Sequence, residues 1–131
     1  MSQENVEIVR AAYEAFNARD VDWLVRLAAE DCEWQPLRAQ LEGIAYRGHE
    51  GVRQFVADMD EDWETFRIDP LEFHDRQELV AVVGRVSALG HSGVEVDSVA
   101  GFVFELQRGR ISRIVSHSDP EAALKAVGLS E

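Results

Sequence analysis

Residues 78–90, ELVAVVGRVSALG, place Val80, Val82, Val86 and Ala88 on one parity and Leu79, Ala81, Val83, Arg85, Ser87 and Leu89 on the other. A run this apolar and β-branched reads as a strand, and its two-residue period sends the two sets to opposite faces of a sheet. Arg85 is the exception among the valines. Burying an unpaired guanidinium is costly, so Arg85 must reach water, an acidic partner such as Glu105, or a cavity in which something polar docks. If the valines pack beneath helices, Arg85 points outward. If instead valines including Val82 join Val99, Val103 and Val115 as a dimer patch on the back of the sheet, Arg85 looks inward.

The neighbouring segments extend the sheet. TFRIDPLEF (65–73), VEVDSVAGFVFELQ (94–107) and RISRIVSHS (110–118) are strand-like runs parted by Asp75, the GHSG loop (90–93) and Gly109, which predicts consecutive antiparallel hairpins. In residues 94–107 the even positions Val94, Val96, Ala100, Phe102, Phe104 and Leu106 are apolar and should meet helices. The odd positions carry Glu95, Asp97, Glu105 and Gln107, with Val99, Gly101 and Val103 between them, so the back of the sheet is partly apolar.

Helical spacing lies upstream. Val6, Val9, Tyr13 and Phe16 predict a first helix with Ser2 as its cap, and Asp20 caps a short second one carrying Val21, Leu24 and Leu27. DCEWQPL (31–37) reads as a strand stopped by Pro36, and RAQLEGIAYRG (38–48) as a loop. Val52, Phe55, Val56, Met59 and Trp63 place a third helix over 49–63. Near the end Asp119 caps a short helix, Pro120 takes its first position and Gly128 ends it. Helices first and sheet after predict an α+β architecture with the helices on one sheet face.

A chain of 131 residues, 46% of them hydrophobic, fits a single domain over 1–131 with a real core. Thirteen basic against 25 acidic residues give a net charge of −12, which repels nucleic-acid phosphates and anionic lipid, so neither nucleic acid nor membrane is an expected partner. No apolar run approaches the roughly 18 residues of a membrane span. Cys32 is the lone cysteine and MSQENVEIVR (1–10) lacks a secretion signal's basic start and apolar run, which predicts a cytoplasmic protein without an intramolecular disulfide. HEGVR (49–53) begins like a zinc motif, but Arg53 stands where the second histidine would be. His49, His74 and His91 read as structural. GHSG is followed by Val94 instead of the glycine of a nucleophile elbow, and no glycine-rich loop joins a strand to a helix. Neither a metal nor a cofactor is expected.

AAYEAFNARDVDWLVRLAAEDCEW (11–34), YRGHEGVRQF (46–55) and SDPEAALKAVGL (118–129) resemble the SnoaL-like branch of the NTF2-like superfamily, over nearly the whole chain. The resemblance implies a cone: a strongly curved antiparallel sheet wrapped around N-terminal helices, with an internal pocket. That superfamily includes ketosteroid isomerases, polyketide cyclases, limonene-1,2-epoxide hydrolases, dehydratases and non-catalytic binding domains, so the fold does not fix the function. At the isomerase type's base and oxyanion positions this chain holds Pro36, Ala12 and Ala100, with Tyr13 one residue off, a turn of about 100° on a helix. The epoxide-hydrolase type's arginine matches Arg85, while its two aspartates match Ser87 and Ser116.

This second match implies that Arg85 lies in the pocket, with Ile114, Ser116 and Ser118 inside and Val115 and His117 outside unless a bulge shifts the register. With such a shift, His117 becomes the base and Asp97 its partner. Trp34, Tyr13 and Phe102 are the expected apolar wall. The catalytic candidates are therefore Arg85, Tyr13, His117 and Asp97, and the ligand-binding candidates Trp34, Ser87, Phe102, Ile114 and Ser116. Two readings stay open: a homodimer binding an apolar, oxygenated small molecule as a cofactor-free acid/base isomerase, cyclase or hydrolase, or a non-catalytic ligand-binding or dimerisation module.

Overall fold

The computed structural model describes residues 2–128. Its elements are α1 (Ser2–Ala18), α2 (Val21–Leu27), β1 (Ala28–Gln35), α3 (Leu37–Glu42), β2 (Tyr46–Arg47), α4 (Gly48–Asp62), β3 (Trp63–Arg76), β4 (Leu79–Gly90), β5 (Glu95–Gln107), β6 (Arg110–His117) and α5 (Pro120–Ala126). The cap expected from the Ser2 side chain lies outside the described residues. Elsewhere the caps form: the Asp20 carboxylate accepts from the Trp23 N–H at 3.2 Å and that of Asp119 from the Glu121 N–H at 3.0 Å. Gly128 takes the left-handed φ of 84° that ends α5.

The sheet is curved and unclosed, with strand order β2-β1-β6-β5-β4-β3. Strands β3 to β6 are the consecutive antiparallel hairpins that alternation predicts. β1 departs from that pattern by joining β6 in parallel, with Trp34 opposite Ile114. β3 runs unbroken past Asp75 to Arg76, and it accommodates Pro70 because it is an edge strand, where a missing N–H breaks no ladder bond. Leu71, next to Pro70, is the extra residue of a bulge and is exposed. Trp63 has extended geometry, so it opens β3 and the preceding helix stops at Asp62.

The segment expected as a loop contains α3. Pro36 precedes it, and Gly43 at a left-handed φ of 73° closes it by donating to the Ala39 and Gln40 carbonyls. Only Ala39 of this helix is buried, while Leu41 is 89% exposed, so α3 has no core-facing stripe.

Val80 and Val82 are both 0% exposed and share the core with Phe102, Phe104, Leu106 and the α1 stripe of Val6, Val9, Tyr13 and Phe16. Burying side chains of this kind contributes about 1.5–3 kcal/mol each, which favours this face of the strands under the helices. Val82 therefore cannot belong to an exterior dimer patch; Val99 is exposed there, and Val103 and Val115 are half-buried. Helices cover both faces rather than one, because α5 rests on the outer side of β5. A Cβ at Gly101 would come within 2.6 Å of the Ala123 methyl and 3.0 Å of Pro120 Cα, so only glycine permits that approach.

Candidate functional site

The strand register assembles the concave surface. Trp34 on β1 lies opposite Ile114 on β6, Ile114 opposite Phe104 on β5, and Phe102 opposite Ser116. Tyr13 descends from α1 and sets its ring edge-on to Phe104 and Phe102, with centroids 5.5 and 6.0 Å away. Phe55 of α4 meets Trp34 at 5.6 Å and Tyr46 at 5.5 Å. Tyr13, Trp34, Phe102, Ile114 and Ser116 thus share one side of the sheet. Tyr13, Trp34 and Phe102 are all buried. Two surface clefts of about 470 and 510 Å³ lie elsewhere, one beside Asn5, Gln77 and Arg108, the other beside Gln35, Gln40 and Arg47.

Within this packed wall the Tyr13 hydroxyl and the Trp34 indole N–H are buried with no hydrogen-bond partner. Buried polar groups are satisfied in the great majority of cases, and one left unpaired costs about 1–3 kcal/mol. Burial holds the Tyr13 phenol well above the usual tyrosine range, so it stays neutral and able to donate. The two groups stand over neighbouring parts of the sheet: Tyr13 packs on Phe104, and one strand, β6, separates Phe104 from Trp34.

Arg85 is not in the interior. β4 and β5 pair without a bulge, so alternation puts Arg85 opposite Val99 on the outer face once the valines lie under the helices. Its side chain is 55% exposed, and its Nε and Nη2 donate to Asp97 Oδ1 and Oδ2 at 2.9 and 2.8 Å. The acidic partner is Asp97 and not Glu105. Ser87 shares that outer parity and lies opposite Asp97, so it too is outside.

β6 does carry a bulge, but at Ser112, between the Leu106–Ile111 and Glu105–Arg113 pairs. Beyond it the alternation resumes, and His117 sits on the outer face opposite Gly101. Asp97 lies four residues back along β5, about 13 Å away at strand rise, and is held by Arg85, so no His117–Asp97 pair forms. The other histidines have local partners: His49 Nε2 lies 3.0 Å from the Ala28 carbonyl, His74 Nε2 2.9 Å from Glu72, and His91 Nε2 2.9 Å from the Glu61 carbonyl. Among the described residues no group of three or more His, Cys, Asp or Glu gathers as metal ligands.

Tyr46 and Asp58 stand outside the sequence-based candidates. Tyr46 lies opposite Trp34 in the β1–β2 ladder and so turns to the same face; its hydroxyl donates to Asp58 Oδ2 at 2.5 Å. Gln54, one turn earlier on α4, donates from Nε2 to Asp58 Oδ1 at 2.7 Å. Burial first, and then the Asp58 carboxylate, push the Tyr46 phenol up to about 12. Gly51 makes the arrangement possible, because a Cβ there would come within 2.8 Å of the Tyr46 carbonyl carbon. The i, i+4 spacing of Gln54 and Asp58 is readable along the chain, but the meeting with Tyr46 is a product of the fold.

Comparison with solved structures places this fold among known ones. An NTF2-like protein of unknown function from Burkholderia pseudomallei K96243 superposes with a TM-score of 0.80 at 23% identity, over 95% of this chain and 98% of that one. TerC, co-crystallised with polyporic acid, gives 0.80 at 22% identity over 95% and 97%. Bal32a, from a soil-derived mobile gene cassette, gives 0.78 at 27% identity over 88% and 89%. No curated protein sequence matches this chain. The SnoaL-like domain family matches residues 9–114, and with the NTF2-like fold already in place this chain belongs to the SnoaL-like family.

Proposed function

We propose that the concave interior binds a neutral, largely apolar small molecule through an acceptor oxygen, with Tyr13 and Trp34 as donors. The observation that carries this reading is the pair of buried donors without partners, set in a wall of aromatic rings. A carbonyl or ether oxygen would satisfy both and recover what their burial costs. An anion fits poorly, since among the described residues no charged side chain is buried to neutralise it. The similarity to TerC, which was crystallised with polyporic acid, supports a small molecule in a fold of this shape.

The test uses the Trp34 indole N–H cross-peak in a proton–nitrogen spectrum, assigned by its loss in Trp34→Phe. 2-Tetralone, a bicyclic ketone, should move this peak, whereas tetralin, the same skeleton without oxygen, and the tetralin-2-carboxylate anion should not. An unmoved peak with the ketone, or an equal shift with tetralin, would refute the reading.

A further inference from the structure

We infer that α3 is the gate through which a ligand reaches the concave interior, and that the Gln40 side chain latches it shut. This rests on the binding reading above.

The donors are sealed. The Tyr13 hydroxyl and the Trp34 indole N–H are buried, so a molecule that meets them must enter past an element that moves. α3 begins three residues after Trp34 and rests at the C-terminal ends of β1 and β6. Gln40 Nε2 donates to the Gln35 carbonyl and, across to β6, to the Ser116 carbonyl, both at 2.8 Å. Gln35 adjoins Trp34, and Ser116 lies opposite Phe102, whose ring meets Tyr13. One exposed amide thus fastens α3 to the neighbours of both donors.

α3 is also the helix that opens at least cost. Displacing α1 would expose Val9 and Phe16, displacing α2 would expose Leu24, and displacing α4 would expose Val52 and Val56, all of them core side chains whose burial resists opening. α3 buries Ala39 alone, and Leu37 and Leu41 are already exposed. Its tie to α4, the ion pair of Arg38 with Asp62, is screened by water because the Arg38 side chain is largely exposed. Few buried apolar contacts and exposed hydrogen bonds are the marks of a segment that opens on its own.

The helix can move as a unit. The Gly43 and Ile44 N–H groups donate to the Gln40 and Ala39 carbonyls at 3.2 and 2.9 Å, which keeps its end wound. A Cβ at Gly43 would meet nothing within 4 Å, so no neighbour blocks the chain from swinging there. Extended Pro36 bounds the other end.

The experiment reads hydrogen exchange of the Trp34 indole N–H in D2O without ligand. That proton has no hydrogen bond and is protected by burial alone, so it exchanges when the interior opens. In the wild type it should outlast the indole proton of Trp23, which is 40% exposed. Gln40→Ala and Gln40→Glu can no longer donate to the two carbonyls, and each should speed Trp34 exchange about threefold to tenfold, the scale of a lost hydrogen bond. The backbone amide of Val82, in the interior strand β4, should keep its wild-type rate. With 2-tetralone, both variants should raise the association and dissociation rates by the same factor and leave the half-saturating concentration unchanged, as a gate does and a ligand contact does not. Wild-type Trp34 exchange in both variants, or Trp34 and Val82 speeding up together, overturns the inference, and so does a shifted half-saturating concentration. A Trp34 peak unmoved by 2-tetralone, with exchange still faster in both variants, overturns the binding reading instead and leaves the opening of α3 standing.

Discussion

Arg85 and Asp97 meet diagonally across two strands on the outer face of the sheet. β4 pairs Arg85 with Val99, and the guanidinium reaches two residues back along β5 to grip both oxygens of the Asp97 carboxylate. The hydrogen bonds and charge of Arg85 hold the Asp97 carboxyl below its usual range. Both side chains are more than half exposed, and exposed pairs of this kind contribute little because water and salt screen them. Arg85→Ala should therefore leave the thermal midpoint nearly unchanged and the response of Trp34 to 2-tetralone intact. Loss of that response in Arg85→Ala would return the guanidinium to the site.

Strand alternation around Arg85 made the fold legible while leaving the site ambiguous. The helical spacings of α1 and α4, the caps at Asp20 and Asp119, and the hairpins of β3 to β6 are local patterns, and they appear where the spacing puts them. The parallel pairing of β1 with β6 is not local: it joins residues about eighty positions apart, and no turn residue signals it. α3 carries no periodic signal, because Leu37 and Leu41 face outward and leave the helix without a buried stripe.

Likewise, one strand's parity offered two placements for Arg85, and the match to the epoxide-hydrolase type favoured the wrong one. Burial decided between them, since valines gain more from the core than an unpaired guanidinium could. Tyr46 and Asp58 were invisible for a different reason: their bond depends on Gly51 letting α4 approach β2, a relation between elements that a linear reading does not contain.

Tyr13 should behave in a way opposite to an ordinary core residue. Its hydroxyl is buried without a partner, so in the absence of ligand it opposes folding. Tyr13→Phe should raise the stability of the free protein, by up to about 1–3 kcal/mol if the void left by the oxygen closes. The same variant should bind 2-tetralone more weakly, because one of the two donors is gone. Thermal unfolding with and without the ketone checks both halves. A lowered midpoint in the free variant would mean that the hydroxyl already has a partner, leaving Trp34 alone to donate to a ligand.

Alkaline pH should expose the Tyr46–Asp58 bond as a stability element. The folded protein holds the Tyr46 phenol up to about 12 against an ordinary value of 10.0, so folding favours the protonated form. The contribution is complete below pH 10 and is lost as pH rises from 10 through about 12, where the tyrosinate can no longer donate to Asp58 and repels it. Tyr13, raised in the same direction by burial, adds to the decline. Urea unfolding between about pH 8 and pH 12 should give a flat profile that falls above pH 10, with a shallower fall in Tyr46→Phe. Absorbance at about 295 nm, where tyrosinate is read, should show that Tyr46→Phe removes a phenol titrating above the ordinary range. A Tyr46 that titrates near 10, with an unfolding profile matching that of Tyr46→Phe, would mean that the bond to Asp58 does not fasten α4 to β2.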